Sequence, residues 1–71
     1  MNIRYAIDRA RVDSGGMSID ELSRRSGVSK GSLHALRSGT ANPTLSLLEK
    51  LASTMGISTS ELIRLAEEES K

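Results

Sequence analysis

One stretch decides the fold of this chain, residues 18–36: Ser18-Ile19-Asp20-Glu21-Leu22-Ser23-Arg24-Arg25-Ser26-Gly27-Val28-Ser29-Lys30-Gly31-Ser32-Leu33-His34-Ala35-Leu36. Ser18 and Ser29 each precede a run with helical apolar spacing, as residues that cap the start of a helix do. Gly27 lies between the two runs, where a residue that tolerates a positive φ angle ends a helix. The stretch therefore predicts two short helices that meet at a tight turn.

The same pattern of a capping residue before each helix and a glycine after it recurs along the rest of the chain. Gly15-Gly16, Gly39 and Gly56 also end helical runs, and Thr44 and Ser58 are the expected caps of the runs that follow. The pattern predicts five short helices, at residues 2–13, 19–25, 30–37, 45–55 and 59–68, and no strand. Short connections between helices favour a compact all-α globule, a single domain over residues 1–71 with a frayed acidic tail at residues 67–71.

Composition excludes several classes of protein. The chain of 71 residues has no cysteine and one histidine, which excludes disulfides, thiolate chemistry and a zinc finger. No apolar run approaches the ~18 residues of a membrane span and no signal peptide is visible, so a cytoplasmic protein is expected. No catalytic set, Gly-rich phosphate loop or metal cluster is apparent. We therefore expect no enzymatic activity, no cofactor and no metal.

Charge is more informative in its distribution than in its total. The net charge is only +1, but residues 1–40 carry seven Lys or Arg against four Asp or Glu, whereas residues 41–71 carry three against five. A basic front half suits a protein that offers one face to a polyanion. A solvated surface explains the same distribution, and charge alone favours that interpretation.

The second helix of the opening stretch has one free face. Apolar residues hold it against the first helix, namely Leu22, Val28, Leu33 and Leu36. At about 100° per residue, its free face carries Gly31, His34, Ala35 and Ser38, with Lys30 beside them. The spacing is that of a helix-turn-helix. Because the outward side chains are mostly short, such a helix fits a major groove about 12 Å wide.

On these residues the chain resembles the phage-repressor helix-turn-helix family, the lambda-repressor-like or XRE type that includes Cro. The resemblance runs from Ile7 to Leu62 and rests on Arg11, Glu21-Leu22, Gly27-Val28-Ser29, Leu33, Leu36, Gly39, Asn42-Pro43-Thr44-Leu45, Leu48, Leu51-Ala52, Gly56-Ile57-Ser58 and Glu61-Leu62. It implies a compact five-helix fold and sequence-specific binding to double-stranded DNA, usually as a dimer that represses or regulates transcription.

The chain departs from the family pattern at two positions. Ile19 stands where the family often has Gln, and Arg37 stands where it often has Glu. The second change removes an ion pair with Arg11, so we expect Arg37 to add positive charge instead. These departures bear on the operator sequence and not on the fold.

The free face and its margins supply the predicted DNA contacts. Base contacts are predicted for Lys30, Gly31, His34 and Ala35. Backbone contacts are predicted for Ser18, Ile19, Arg24, Arg25, Ser29, Ser32, Arg37, Ser38, Thr40 and Asn42. Each has an ordinary structural explanation as well, such as helix capping by Ser29 or a turn formed by Asn42 ahead of Pro43.

Helix five is the predicted homodimer interface. A lone recognition helix reads too few base pairs, whereas two protomers with helices ~34 Å apart read a palindrome. We expect Ile63, with Leu65 or Ala66, to project from the monomer, because burying a large apolar side chain contributes ~1.5–3 kcal/mol. The alternative is that Ile63 completes the monomer core.

Two functional hypotheses remain. The favoured one is a homodimeric transcriptional regulator, a repressor above all, such as a Cro-like phage protein, a restriction-modification controller, an antitoxin or the N-terminal domain of a longer repressor. The other is a protein-interaction module or antitoxin on the same fold whose main partner is another protein. The net charge of +1 keeps this second hypothesis open. The salt dependence of duplex binding distinguishes them.

Overall fold

The computed structural model describes residues 2–69. They form five α-helices, α1 (Ile3–Asp13), α2 (Ile19–Ser26), α3 (Lys30–Ser38), α4 (Leu45–Thr54) and α5 (Thr59–Glu69). Every helix begins and ends within one residue of its predicted bounds, and residues 2–69 contain no strand, so the all-α five-helix prediction is confirmed. Of the predicted frayed tail, residues 67–69 are helical, and residues 70–71 lie outside the described residues.

Polar side chains start the helices where the sequence predicts. The hydroxyls of Ser18, Ser29, Thr44 and Ser58 each accept a hydrogen bond at 3.0–3.1 Å from the backbone N–H three residues further on. The side chain of Asn2 does the same for α1, at 3.0 Å. One such cap stabilises a protein by about 1 kcal/mol. Because the capping residue also marks where a helix begins, the predicted and observed starts of the helices agree.

The turn between α2 and α3 is held by local bonds. Gly27 ends α2 with φ +79°, in the left-handed region that favours glycine. The Ser23 hydroxyl donates to the Val28 carbonyl oxygen at 2.7 Å, and the Val28 N–H donates to the Ser26 hydroxyl at 3.1 Å. These bonds fix the path of the chain from α2 into α3, and with it the orientation of α3 relative to α2.

The core lies where the five helices meet. Its largest fully buried side chains are Ile7, Leu22, Leu33, Leu51 and Leu62. α5 packs along α1, α4 packs against α2 and α5, and α3 rests on α1 and α2. This arrangement leaves one side of α3 uncovered by the rest of the chain.

One predicted interface residue belongs to the core instead. Ala66 is completely buried, and its carbonyl oxygen accepts a 2.9 Å hydrogen bond from the Asn2 N–H. The prediction that Ala66 projects from the monomer is therefore wrong, because residues 62 and 66 share the face of α5 that packs into the monomer core. Ile63 and Leu65 are half-buried and pack at the edge of the core.

Candidate nucleic-acid interface

The outer face of α3 is exposed as predicted. Leu33 and Leu36 are buried behind it, while Lys30, Gly31 and His34 are exposed. Ala35 is half-buried. The four predicted base-contact residues thus reach the surface together on one short helix. Their contact with bases stays a prediction.

Lys30 has a carboxylate neighbour that the sequence does not reveal. Its Nζ lies 3.4 Å from Oδ1 of Asp20, in the first turn of α2, and both side chains are more than half exposed. An exposed pair of this kind contributes at most about 1 kcal/mol. Asp20 therefore restrains Lys30 only weakly and leaves it able to turn toward a new acceptor.

The predicted backbone-contact residues at and before α2 differ in whether the rest of the chain already engages their side chains. Ser18 caps the helix, and Ile19 is half-buried against the core. The Nη1 of Arg25 pairs with Oε2 of Glu21 at 3.3 Å. Arg24 is exposed and forms no ion pair within residues 2–69. Arg24 is thus the α2 cation with the fewest competing partners.

The hydroxyl residues around α3 are engaged with the chain itself. Ser29 accepts from the Ser32 N–H at 3.1 Å and its hydroxyl donates to the Ser32 hydroxyl at 3.0 Å, so Ser29 acts mainly as a cap. Beyond the helix, the Ser38 and Thr40 hydroxyls lie 3.1 Å apart. Asn42 follows in the loop and is exposed. All remain accessible at the margin of α3.

Arg37 is held by an acidic residue of α1 that sequence reasoning missed. Its Nε donates to Oδ1 of Asp8 at 3.1 Å and its Nη2 donates to Oδ2 at 3.0 Å. Arg11 donates to the same Oδ1 through Nη2 at 2.7 Å, and through Nη1 to the Met17 carbonyl oxygen at 2.9 Å. Arg37 therefore adds positive charge as expected, but Asp8 offsets one of the two guanidinium charges, an ion pair that the sequence did not reveal. Asp8, Arg11 and Arg37 together are called the Asp8 cluster below.

The Asp8 cluster joins α1 to α3 and perturbs the acid at its centre. Partial burial raises the pKa of Asp8, but the hydrogen bonds and charges of Arg37 and Arg11 together outweigh burial and hold that pKa below its ordinary value of 3.8. The carboxylate is therefore ionised at neutral pH. Two guanidinium groups on one carboxylate leave a net positive charge at the end of α3.

A cleft opens beside this cluster, between the first turn of α1 and the last turn of α3. It has a volume of about 160 Å³ and is lined by Arg4, His34, Arg37 and Ser38. Arg4 is exposed, and its Nε lies 3.9 Å from Oδ2 of Asp8. Sequence reasoning missed Arg4, since neither periodicity nor the turn motif connects α1 with the outer face of α3. These four residues are called the α1–α3 cleft below.

Comparison with known families identifies the arrangement. A family model described as helix-turn-helix matches residues 7–62, which include α2, the turn and α3. The chain belongs to this helix-turn-helix family. The family is XRE-like and DNA-binding, and the five-helix structure fits its lambda-repressor-like fold. No curated protein and no solved structure matches the chain.

Membership of the helix-turn-helix family establishes the general role of the site. The protein is a DNA-binding transcriptional regulator whose partner is double-stranded DNA. The narrower likeness to phage repressors stays a prediction. Within residues 2–69, no helix has the length and apolar character needed to cross a membrane, and no three acidic or histidine side chains gather in a way suited to a metal ion.

Proposed function

We propose that this helix-turn-helix protein represses transcription by binding a palindromic operator as a homodimer, with α3 of each protomer in the major groove. The observation that carries the proposal is the outer face of α3, where Lys30, Gly31 and His34 are exposed while Leu33 and Leu36 anchor the helix from behind. Because Gly31, Ala35 and Ser38 on the same face are short, the helix can lie close to the base edges of a groove about 12 Å wide.

The proposed contacts divide by chemistry. Lys30 and His34 recognise bases, since the Lys30 ammonium group can donate to guanine O6 and N7, while Gly31 and Ala35 let the helix approach closely. Arg24 and the polar residues at the margins of α2 and α3 hold the sugar-phosphate backbone and set the register without reading sequence.

The proposed dimer interface is the half-buried apolar edge of α5. Ile63 and Leu65 pack against the core yet stay partly accessible, so a second protomer can cover the remainder of both side chains. The patch is small. Two protomers that each dock one α3 helix gain both additional base contacts and a defined spacing between half-sites.

Selection of bound duplexes from a random pool, followed by mobility shifts at several salt concentrations, tests this function. We expect a selected site with two-fold symmetry, half-sites about 10 base pairs apart, cooperative binding and an affinity that falls steeply with salt. Affinity that is indifferent to salt contradicts DNA binding as the main role. A selected site without symmetry contradicts the homodimer.

One observation favours the second candidate, a module or antitoxin whose main partner is another protein. Within residues 2–69, six of the seven Lys and Arg residues of the front half have a carboxylate within 4.0 Å, and Arg24 is the exception. Paired cations neutralise phosphates less effectively than free ones. Co-purification with a stoichiometric protein partner, together with salt-indifferent duplex binding, is the result that would select this candidate.

A further inference from the structure

We propose that the α1–α3 cleft binds one phosphate of the DNA backbone and that Arg4 is a phosphate contact supplied by α1, outside the helix-turn-helix itself. The inference rests on the proposed function, since it places DNA against α3. It adds a residue of the first helix to a surface otherwise built from α2, α3 and the loop that follows them. It also gives the Asp8 cluster a role in binding.

The charges around the cleft suit an anion. Arg4 and Arg37 line it directly, and Arg11 pairs with the same Asp8 carboxylate that holds Arg37. Asp8 offsets only one of these three guanidinium charges. It also holds Arg37 by two bonds, so that side chain is ordered before any ligand arrives. An ordered arginine loses less side-chain entropy on binding than a free one.

Some guanidinium donors of the cleft residues make no hydrogen bond within residues 2–69. Asp8 engages the Nε and Nη2 of Arg37, which leaves Nη1 for another oxygen. The Arg4 side chain is 69% exposed, and its approach to Asp8 is through Nε at 3.9 Å, beyond hydrogen-bond length. A guanidinium group binds phosphate oxygens through several N–H donors at once, which a point charge does not do.

Size and location agree with a backbone group. The cleft is open to solvent, and its volume of about 160 Å³ leaves space for an anion without a tight enclosure. His34, on the outer face of α3, forms part of its wall. Because the backbone lies at the margin of the groove that a recognition helix enters, a cleft at the edge of α3 is placed for a phosphate and not for a base.

The test compares Arg4→Gln with a matched control, Arg9→Gln. Arg9 is also an exposed arginine of α1, but it pairs with Asp13 at 3.1 Å and does not line the cleft. Both variants lose one charge, so a general electrostatic effect appears equally in both. A third variant, Arg4→Lys, keeps the charge and loses the planar fork.

We expect Arg4→Gln to lower the slope of log affinity against log salt by about 0.9 per protomer, equally on selected and random duplexes. Arg9→Gln should lower the slope by less than half as much as Arg4→Gln does. Arg4→Lys should keep a slope close to that of the parent. In a scan that replaces one phosphate at a time with an uncharged methylphosphonate, one position per half-site should weaken the parent several-fold and weaken Arg4→Gln clearly less, since Arg37 remains in the cleft.

Equal slopes for Arg4→Gln and Arg9→Gln overturn the inference, as does a methylphosphonate profile that Arg4→Gln does not change. Either result leaves the proposed function intact if the parent still binds duplex DNA with a steep salt dependence. If the parent shows no salt-dependent binding, the proposed function fails, and the cleft assignment fails with it. Circular dichroism of each variant confirms that the comparison is made between folded proteins.

Discussion

The substitution Asp8→Asn tests the Asp8 cluster through stability. The carboxylate accepts three hydrogen bonds of 2.7–3.1 Å from Arg11 and Arg37, and removal of its charge leaves two guanidinium groups facing each other. Hydrogen bonds to charged groups contribute about 1.5–3 kcal/mol each when well buried, but the Asp8 side chain is 32% exposed and Asn keeps one acceptor. We therefore expect a total loss of about 1–2 kcal/mol, or roughly 4–16 °C in Tm for a domain of this size.

Urea and thermal unfolding followed by circular dichroism measure this loss. The matched control is Asp13→Asn on the same helix, where Asp13 pairs with the exposed Arg9, so this variant should lose less than about 0.5 kcal/mol. The pH dependence follows from the lowered pKa of Asp8: its contribution is complete above the ordinary value of 3.8 and is lost as pH falls through the lower folded-state value. The gap between parent and Asp8→Asn should accordingly close in acid. Equal stability of the two Asn variants at neutral pH would refute the reasoning.

Three further predictions concern the interface, the dimer and the turn. Lys30→Ala should cost about 1–3 kcal/mol on the selected operator and change the base preferred there, whereas Arg24→Ala should weaken all duplexes about equally; competition mobility shifts separate the two effects. Ile63→Asp and Leu65→Asp should stay folded and lose cooperative binding to a palindrome, and sedimentation with binding isotherms checks both; unchanged cooperativity would place the dimer interface elsewhere. Gly27→Ala should destabilise the protein by about 1 kcal/mol in urea unfolding, since an added Cβ meets no atom within 4 Å and only the positive φ is unfavourable.

The helices could be predicted from the sequence because their signals are local. A hydroxyl cap and a glycine at the end of a helix act within four residues, so Ser29 and Gly39 define α3 without knowledge of the rest of the fold. The family match likewise covers one continuous stretch, residues 7–62, which includes α3. Exposure of Lys30 and His34 follows from helix periodicity alone.

The candidate site could be predicted only in part, because the Asp8 cluster and the α1–α3 cleft join residues that are far apart in sequence. Asp8 and Arg37 are 29 residues apart, and no periodicity connects them, although the i, i+3 spacing of Asp8 and Arg11 predicts that pair. Arg4 enters the α1–α3 cleft only through the packing of α1 on α3. The buried position of Ala66 can be predicted from the sequence, since residues 62 and 66 are four apart and therefore share one face of α5.

The pairing of α1 with α5 has a consequence for how the protein is made. The Asn2 N–H and the Ala66 carbonyl oxygen that it bonds are 64 positions apart in sequence, so the buried side of α1 has no neighbour in α5 until α5 has left the ribosome. The hairpin of α2 and α3 needs only neighbours in sequence and can form early, whereas closure of the long loop comes late. In a nascent chain, α2 and α3 can therefore pair before α1 gains its contacts with α5.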